Sequence, residues 1–80
     1  MDDADIVRRI SDLADEEHRL EQDHAGKALS DEELDRLRAM EVALDQCWDL
    51  LRQRRARRGA GQDPDEATLR PEEVVERYQQ

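Results

Sequence analysis

The sequence predicts an all-α protein, an antiparallel two-helix hairpin of coiled-coil type followed by a short, partly helical C-terminal tail. Two long segments carry apolar residues at helical spacing and contain neither glycine nor proline. Aromatic residues make up only 2% of the chain, which is too few for the core of a β-sandwich. Residues 23–29 alone join the two segments, and so short a connection forces the helices to run antiparallel.

Helix one is predicted over residues 4–22. Its inward positions follow one another at spacings of four, three, four and three residues, the a/d pattern of a helix that packs along one side. These positions are Ile6, Ile10, Leu13, Glu17 and Leu20. Gly26 can adopt the left-handed backbone conformation that ends a helix, so the connection begins close to it.

Helix two is predicted over residues 31–58. Ser30 and Glu33 have the spacing of a capping box, in which each side chain accepts a hydrogen bond from the backbone of the other. Leu29 and Leu34 flank this box and complete a hydrophobic staple. Gly59 is predicted to stop the helix.

The apolar residues of helix two cover two adjacent faces, which one partner helix cannot cover alone. They are Leu37, Met40, Leu44, Cys47, Trp48 and Leu51. Trp48 is expected in the core, opposite Ile6 and Ile10. Since an isolated two-helix hairpin gains about as much free energy from burial as it loses in chain entropy, we expect a homodimeric four-helix bundle. The alternatives are that the tail, or a different protein, covers the second face.

Residues 1–59 are therefore predicted to form the hairpin, and residues 60–80 an acidic tail with one or two helical turns. Asp63-Pro64 and Pro71 are each suited to the start of a short helix. Leu69, Val74, Val75 and Tyr78 give the tail apolar side chains, so we expect partial docking on the hairpin.

Composition narrows the classes of function. The net charge of −9 disfavours nucleic acid and anionic membranes as partners and favours a protein with a basic or apolar face. Neither a signal peptide nor a run of about 18 apolar residues is seen, and the single cysteine fits a reducing compartment, so we expect a cytoplasmic protein. We find no nucleophile–base pair, glycine-rich phosphate loop or zinc-ligand spacing, and we predict neither an enzyme nor a cofactor.

An arginine cluster ends helix two. It carries five positive charges within residues 52–58 and leaves −14 for the rest of the chain (−9 minus +5). Its members are Arg52, Arg54, Arg55, Arg57 and Arg58. Because helix two is longer than helix one, the cluster is expected to project. The favoured interpretation is an end-cap, in which Asp2, Asp3 and Asp5 of the antiparallel helix neutralise these charges. The other hypothesis is a docking surface that binds an acidic surface of a protein partner or, less favourably, an RNA phosphate backbone.

One further hypothesis is a metal site on helix one. Glu17, Glu21 and His24 share one helix face, and Glu21-x-x-His24 has the spacing of carboxylate-bridged di-iron bundles, so a metal site across a dimer is one alternative. Arg19 or Arg38 is an equally good partner for the Glu17 carboxylate.

The other alternative is a regulator associated with RNA polymerase or the ribosome. It would use the arginine cluster or the acidic tip of the hairpin, formed by Asp23, Asp31, Glu32 and Glu33.

Four stretches of the sequence carry a resemblance to known proteins: "EEHRL", "LRAMEVALDQCWDLLRQRRARR", and "DPD" and "RPEEVVERY" of the tail; the most specific part is residues 44–55. Through these stretches, nearly the whole chain resembles a family of short proteins from high-GC Gram-positive bacteria, classed only as a domain of unknown function. The resemblance implies a small, stand-alone cytosolic protein and a shared architecture. It implies no activity and no catalytic residues.

Overall fold

The computed structural model describes residues 1–24 and 26–79, with side chains through Val75. It contains three α-helices, α1 (Asp3–Asp23), α2 (Asp31–Gly59) and α3 (Glu72–Gln79), and a 3-10 turn (Pro64–Glu66) between α2 and α3. The predicted all-α fold, with two long helices packed against each other, is confirmed. None of the helices in the described residues is long and apolar enough to cross a membrane.

A capping box starts α1. The backbone N–H of Asp5 donates to Oδ1 of Asp2 at 2.8 Å, and the N–H of Asp2 donates to Oδ2 of Asp5 at 3.3 Å. The box satisfies amide groups that a first turn otherwise leaves without partners. It starts α1 one residue before the predicted boundary at residue 4.

The capping box predicted for α2 is also present. The N–H of Glu33 donates to the Ser30 hydroxyl at 3.2 Å, and the N–H of Ser30 donates to Oε1 of Glu33 at 3.0 Å. Leu34, predicted as half of a hydrophobic staple, is 46% exposed instead. Gly59 is the last residue of the helix, and the left-handed residue lies two positions later, at Gly61 with φ of 73°.

The hairpin core lies between α1 and α2. It consists of buried apolar side chains from both helices, namely Ile6, Ile10, Leu13, Met40, Cys47, Leu50 and Leu51. Leu20, Leu37 and Leu44 are half-buried at its margin. Trp48 is 44% exposed, so its predicted place in the core is wrong. Leu51, one turn further along α2, is 1% exposed and belongs to the same core cluster as Ile6.

The tail folds back on α2. Val75 is fully buried, and Ala67 packs against the hairpin core. Leu69 was expected to help this docking but is 56% exposed, whereas the side chain of Tyr78 lies outside the described residues. The tail therefore covers part of the surface of α2 that α1 leaves open.

Candidate interaction surface

Arg54 is the most buried member of the arginine cluster. Only 7% of its side chain is exposed, because it lies between α1 and the tail. Its Nε donates to Oδ1 of Asp3 at 2.5 Å, and its Nη1 donates to Oδ1 of Asp65 at 2.9 Å and to the Pro64 carbonyl at 3.2 Å. These hydrogen bonds raise the pKa of Arg54 above its usual value. Arg54 thus joins three parts of its own chain, which agrees with the end-cap interpretation, and its buried guanidinium is already occupied by these contacts.

Arg57 and Arg58 also contact their own chain. Nη2 of Arg58 donates to Oδ2 of Asp3, and Nη1 of Arg57 donates to Oε2 of Glu66 at 3.4 Å. Hydrogen bonds from Arg58 and Arg54 lower the pKa of Asp3 to about 2. The start of α1 therefore reaches the end of α2, and the arginine cluster does not project as expected. The end-cap interpretation describes these three arginines better.

Arg52 and Arg55 remain exposed. Neither forms an ion pair with any side chain that the structure describes. Of the five arginines considered for binding a partner, these two are the ones that the hairpin and the tail leave accessible.

A buried carboxylate holds the tail in place. Asp49 of α2 is 1% exposed, and it accepts hydrogen bonds from Arg70 and, at 2.9 Å, from Nε2 of Gln53. Nε2 of Gln53 also donates to the Thr68 carbonyl at 2.8 Å, and Nε2 of Gln46 donates to the Arg70 carbonyl at 3.2 Å. These polar contacts were not predicted. The available signal was an Asp among buried apolar residues of helix two, since such a carboxylate needs a cation.

One side of α2 is covered neither by α1 nor by the tail. At 100° per residue, the residues that face α1 include Leu44 and Leu51, and those that contact the tail include Asp49 and Gln53. Between these two sides run four exposed residues spaced seven apart. We call this set the Trp48 stripe; it consists of Leu34, Glu41, Trp48 and Arg55.

Unpaired negative charge borders the Trp48 stripe. Glu17 of α1 is half-buried, and its Oε2 is inaccessible to solvent and has no hydrogen-bond partner among the described residues. Burial first, and then the nearby charges of Glu41, Glu21 and Asp45, raise the pKa of Glu17. Neither Arg19 nor Arg38, which we considered as partners, forms an ion pair with it in the described part of the chain.

The three residues considered for a metal site are not brought together. His24 forms an ion pair with Glu33, across the connection between the helices. Glu17 lies near Glu41 and Asp45 of α2 instead, as well as near Glu21 of its own helix. Within the described residues, no group of three or more His, Cys, Asp or Glu side chains is placed to hold a metal ion. A metal site shared between two copies of the chain stays a hypothesis without support from this arrangement.

Cys47 lies inside the hairpin. It is 9% exposed and belongs to the apolar core. Burial raises the pKa of its thiol, and the nearby charge of Arg9 only partly offsets this effect. A thiol that stays protonated is a poor nucleophile, so Cys47 acts here as a small apolar side chain.

Comparison with known proteins agrees with the resemblance seen in the sequence. The model of the family described as "Protein of unknown function (DUF2630)" matches residues 2–80. Uncharacterized proteins of Mycobacterium tuberculosis and Mycobacterium bovis are 49% identical to the chain over 78 residues, which cover 95% of this chain and 88% of each relative. No solved structure matches the chain. The chain belongs to the DUF2630 family of proteins of unknown function.

Proposed function

We propose that the chain is a small, non-enzymatic protein–protein interaction module, and that its contact surface is the Trp48 stripe. The observation that carries the proposal is the exposure of Trp48, which is 44% accessible in the middle of the longest helix. An exposed Trp leaves a large apolar area in contact with water. Trp is also among the side chains most enriched at the centres of protein interfaces.

The surroundings of Trp48 resemble an interface in composition. Leu34 adds a second exposed apolar side chain to the stripe, and Leu37 and Leu44 are half-buried along the edge of the stripe. Charged residues flank Trp48 along the stripe, with Glu41 on one side of it and Arg55 on the other. An apolar centre with a charged periphery is the usual anatomy of a protein interface.

Photo-crosslinking in cells tests this proposal. A photoreactive phenylalanine analogue replaces Trp48 in the full chain, and a matched variant carries it at Arg36, which is exposed on α2 but lies away from the stripe. We expect a discrete covalent adduct from position 48 and none from position 36. No adduct from position 48, or the same adducts from both positions, would contradict the proposal.

A further inference from the structure

The charges of the Trp48 stripe are arranged symmetrically about Trp48. Glu41 lies seven residues before Trp48, and Arg55 lies seven residues after it. Asp45 and Arg52 flank Trp48 in the same order, at three and four residues. The acidic groups therefore lie on the N-terminal side of Trp48, and the basic groups lie on its C-terminal side.

This arrangement is complementary to itself in one orientation. When two copies of α2 pack antiparallel about a two-fold axis at Trp48, position 48−n of one helix faces position 48+n of the other. Arg55 then faces Glu41 of the second copy, and Arg52 lies next to Asp45 of the second copy. A parallel pair would instead place Glu41 against Glu41 and Arg55 against Arg55. Only the antiparallel pair brings opposite charges together.

Within the described residues, the chain also has charged groups without an ion-pair or hydrogen-bond partner at, or next to, the positions that this pairing would join. Arg55 has no ion pair with the described side chains, and Oε2 of the half-buried Glu17, close to Glu41, has no hydrogen-bond partner among the described residues. Because each chain carries a net charge of −9, two copies repel each other unless their contact surface is locally complementary. A cation from a second copy would offset the local excess of carboxylates.

Resting on the proposed function, we propose that the partner of the Trp48 stripe is a second copy of this chain, packed antiparallel about Trp48 with Arg55 of each copy on Glu41 of the other. Trp48 of one copy lies against Trp48 of the other at the two-fold axis. Because each α2 packs against its own α1, this pairing gives a four-helix bundle.

Two charge-reversal variants test this pairing. Glu41→Arg carries only positive charge at positions 41 and 55, and Arg55→Glu carries only negative charge there. Each variant alone brings like charges together across the two-fold axis, and we expect its self-association, measured by sedimentation equilibrium, to be at least about tenfold weaker than that of the wild type. Mixed in equal amounts, the two variants are complementary at both ends of the interface. We therefore expect the mixture to form a heterodimer with roughly wild-type affinity.

Matched controls separate this interface from general effects of charge. Arg36→Glu and Glu16→Arg make the same charge changes at exposed positions away from the stripe, and both are expected to dimerise like the wild type. A double variant that carries both Glu41→Arg and Arg55→Glu in one chain restores opposite charges across the two-fold axis and should dimerise again. Its recovery would show that the single variants had not merely lost their fold.

Several results would overturn the inference. The first is a wild-type chain that stays monomeric at every concentration used in sedimentation equilibrium. The second is a single charge-reversal variant that dimerises as strongly as the wild type. The third is a mixture of Glu41→Arg and Arg55→Glu that forms no heterodimer. A monomeric wild type that still crosslinks from position 48 to a different protein in cells would reject the second copy as occupant but leave the proposed function standing. Failure of crosslinking at position 48 would reject the proposed function itself.

Discussion

Nε of Arg70 in the tail donates to Oδ2 of Asp49 at 2.8 Å, and Nη2 of the same guanidinium donates to Oδ1. This bidentate ion pair fixes the tail to α2, on a side of the helix different from that of the Trp48 stripe. The hydrogen bond from Arg70 is also the main cause that lowers the pKa of Asp49. The tail therefore occupies one of the two faces that α1 leaves open, and the other face remains accessible.

Asp49→Asn is expected to destabilise the chain. It leaves Arg70, whose side chain is 32% exposed, without its buried carboxylate. Because Arg70 is still partly hydrated, we expect a loss of about 2 kcal/mol in the free energy of unfolding, below the range for fully buried pairs. Urea denaturation measures this loss. Asp35→Asn, at an exposed position of α2, is the control and should change the free energy by less than about 0.5 kcal/mol.

Arg54→Gln and Arg55→Gln form a matched pair at neighbouring positions. Arg54 holds Asp3, Pro64 and Asp65, so its replacement should lower the melting temperature by roughly 5 °C or more. Arg55 is exposed, and its replacement should leave the melting temperature of the dilute protein nearly unchanged. Equal effects of the two substitutions, measured by circular dichroism, would contradict the division of the arginine cluster into structural and accessible members.

Leu51→Ala and Trp48→Ala compare a buried side chain with an exposed one. Leu51 is 1% exposed, and its truncation should reduce the free energy of unfolding by about 2 to 5 kcal/mol. Trp48 is 44% exposed, and we expect its truncation to cost about 1 kcal/mol or less in dilute protein. A larger loss for Trp48→Ala than for Leu51→Ala would mean that Trp48 belongs to the core after all.

Acid should weaken the attachment of α1 to the end of α2. The pKa of Asp3 is lowered from 3.8 to about 2, so its stabilising contribution is present above the unfolded value and is lost as the pH falls from about 3.8 to about 2. Asp3→Asn should therefore be less stable than the wild type at neutral pH, and the difference should shrink across that window. Urea denaturation at a series of pH values measures the difference. A constant difference would exclude the carboxylate charge as its cause.

Glu17 is expected to act in the opposite direction. The pKa of Glu17 is raised, so the folded chain disfavours its charged form. This penalty is present at neutral pH. It disappears as the pH falls through the raised pKa and below the unfolded value of 4.5. Glu17→Gln should melt at a higher temperature than the wild type at pH 7, and this advantage should vanish in acid. Glu16→Gln, on an exposed position of the same helix, is the control and should show neither effect.

The helices could be predicted from sequence because their signals are local. The Ser30–Glu33 capping box and the spacing of Ile6, Ile10 and Leu13 depend only on residues within one or two turns. The position of Trp48 could not be predicted in the same way. Helical spacing shows that α2 is apolar on two adjacent faces, but it does not say which face α1 will cover.

The contacts that bury Arg54 could not be predicted from sequence for a related reason. The arginine cluster is conspicuous in the sequence, but the burial of Arg54 depends on Asp3, which lies 51 residues away, and on a tail whose path is set by Asp49 and Arg70. Long-range pairing of this kind leaves no periodic signal. What sequence reasoning could have used is the isolated carboxylate of Asp49 among buried apolar residues.

The emission of Trp48, the only tryptophan, tests the central claim most directly, because it reports whether the Trp48 stripe is covered. The account predicts that the wild-type emission shifts to the blue as the protein is concentrated from about 10 nM to about 100 µM, and that the same shift in Arg55→Glu requires a concentration at least about tenfold higher. If wild type and variant emit at the same wavelength at every concentration, the Trp48 stripe is not the surface through which the chain associates.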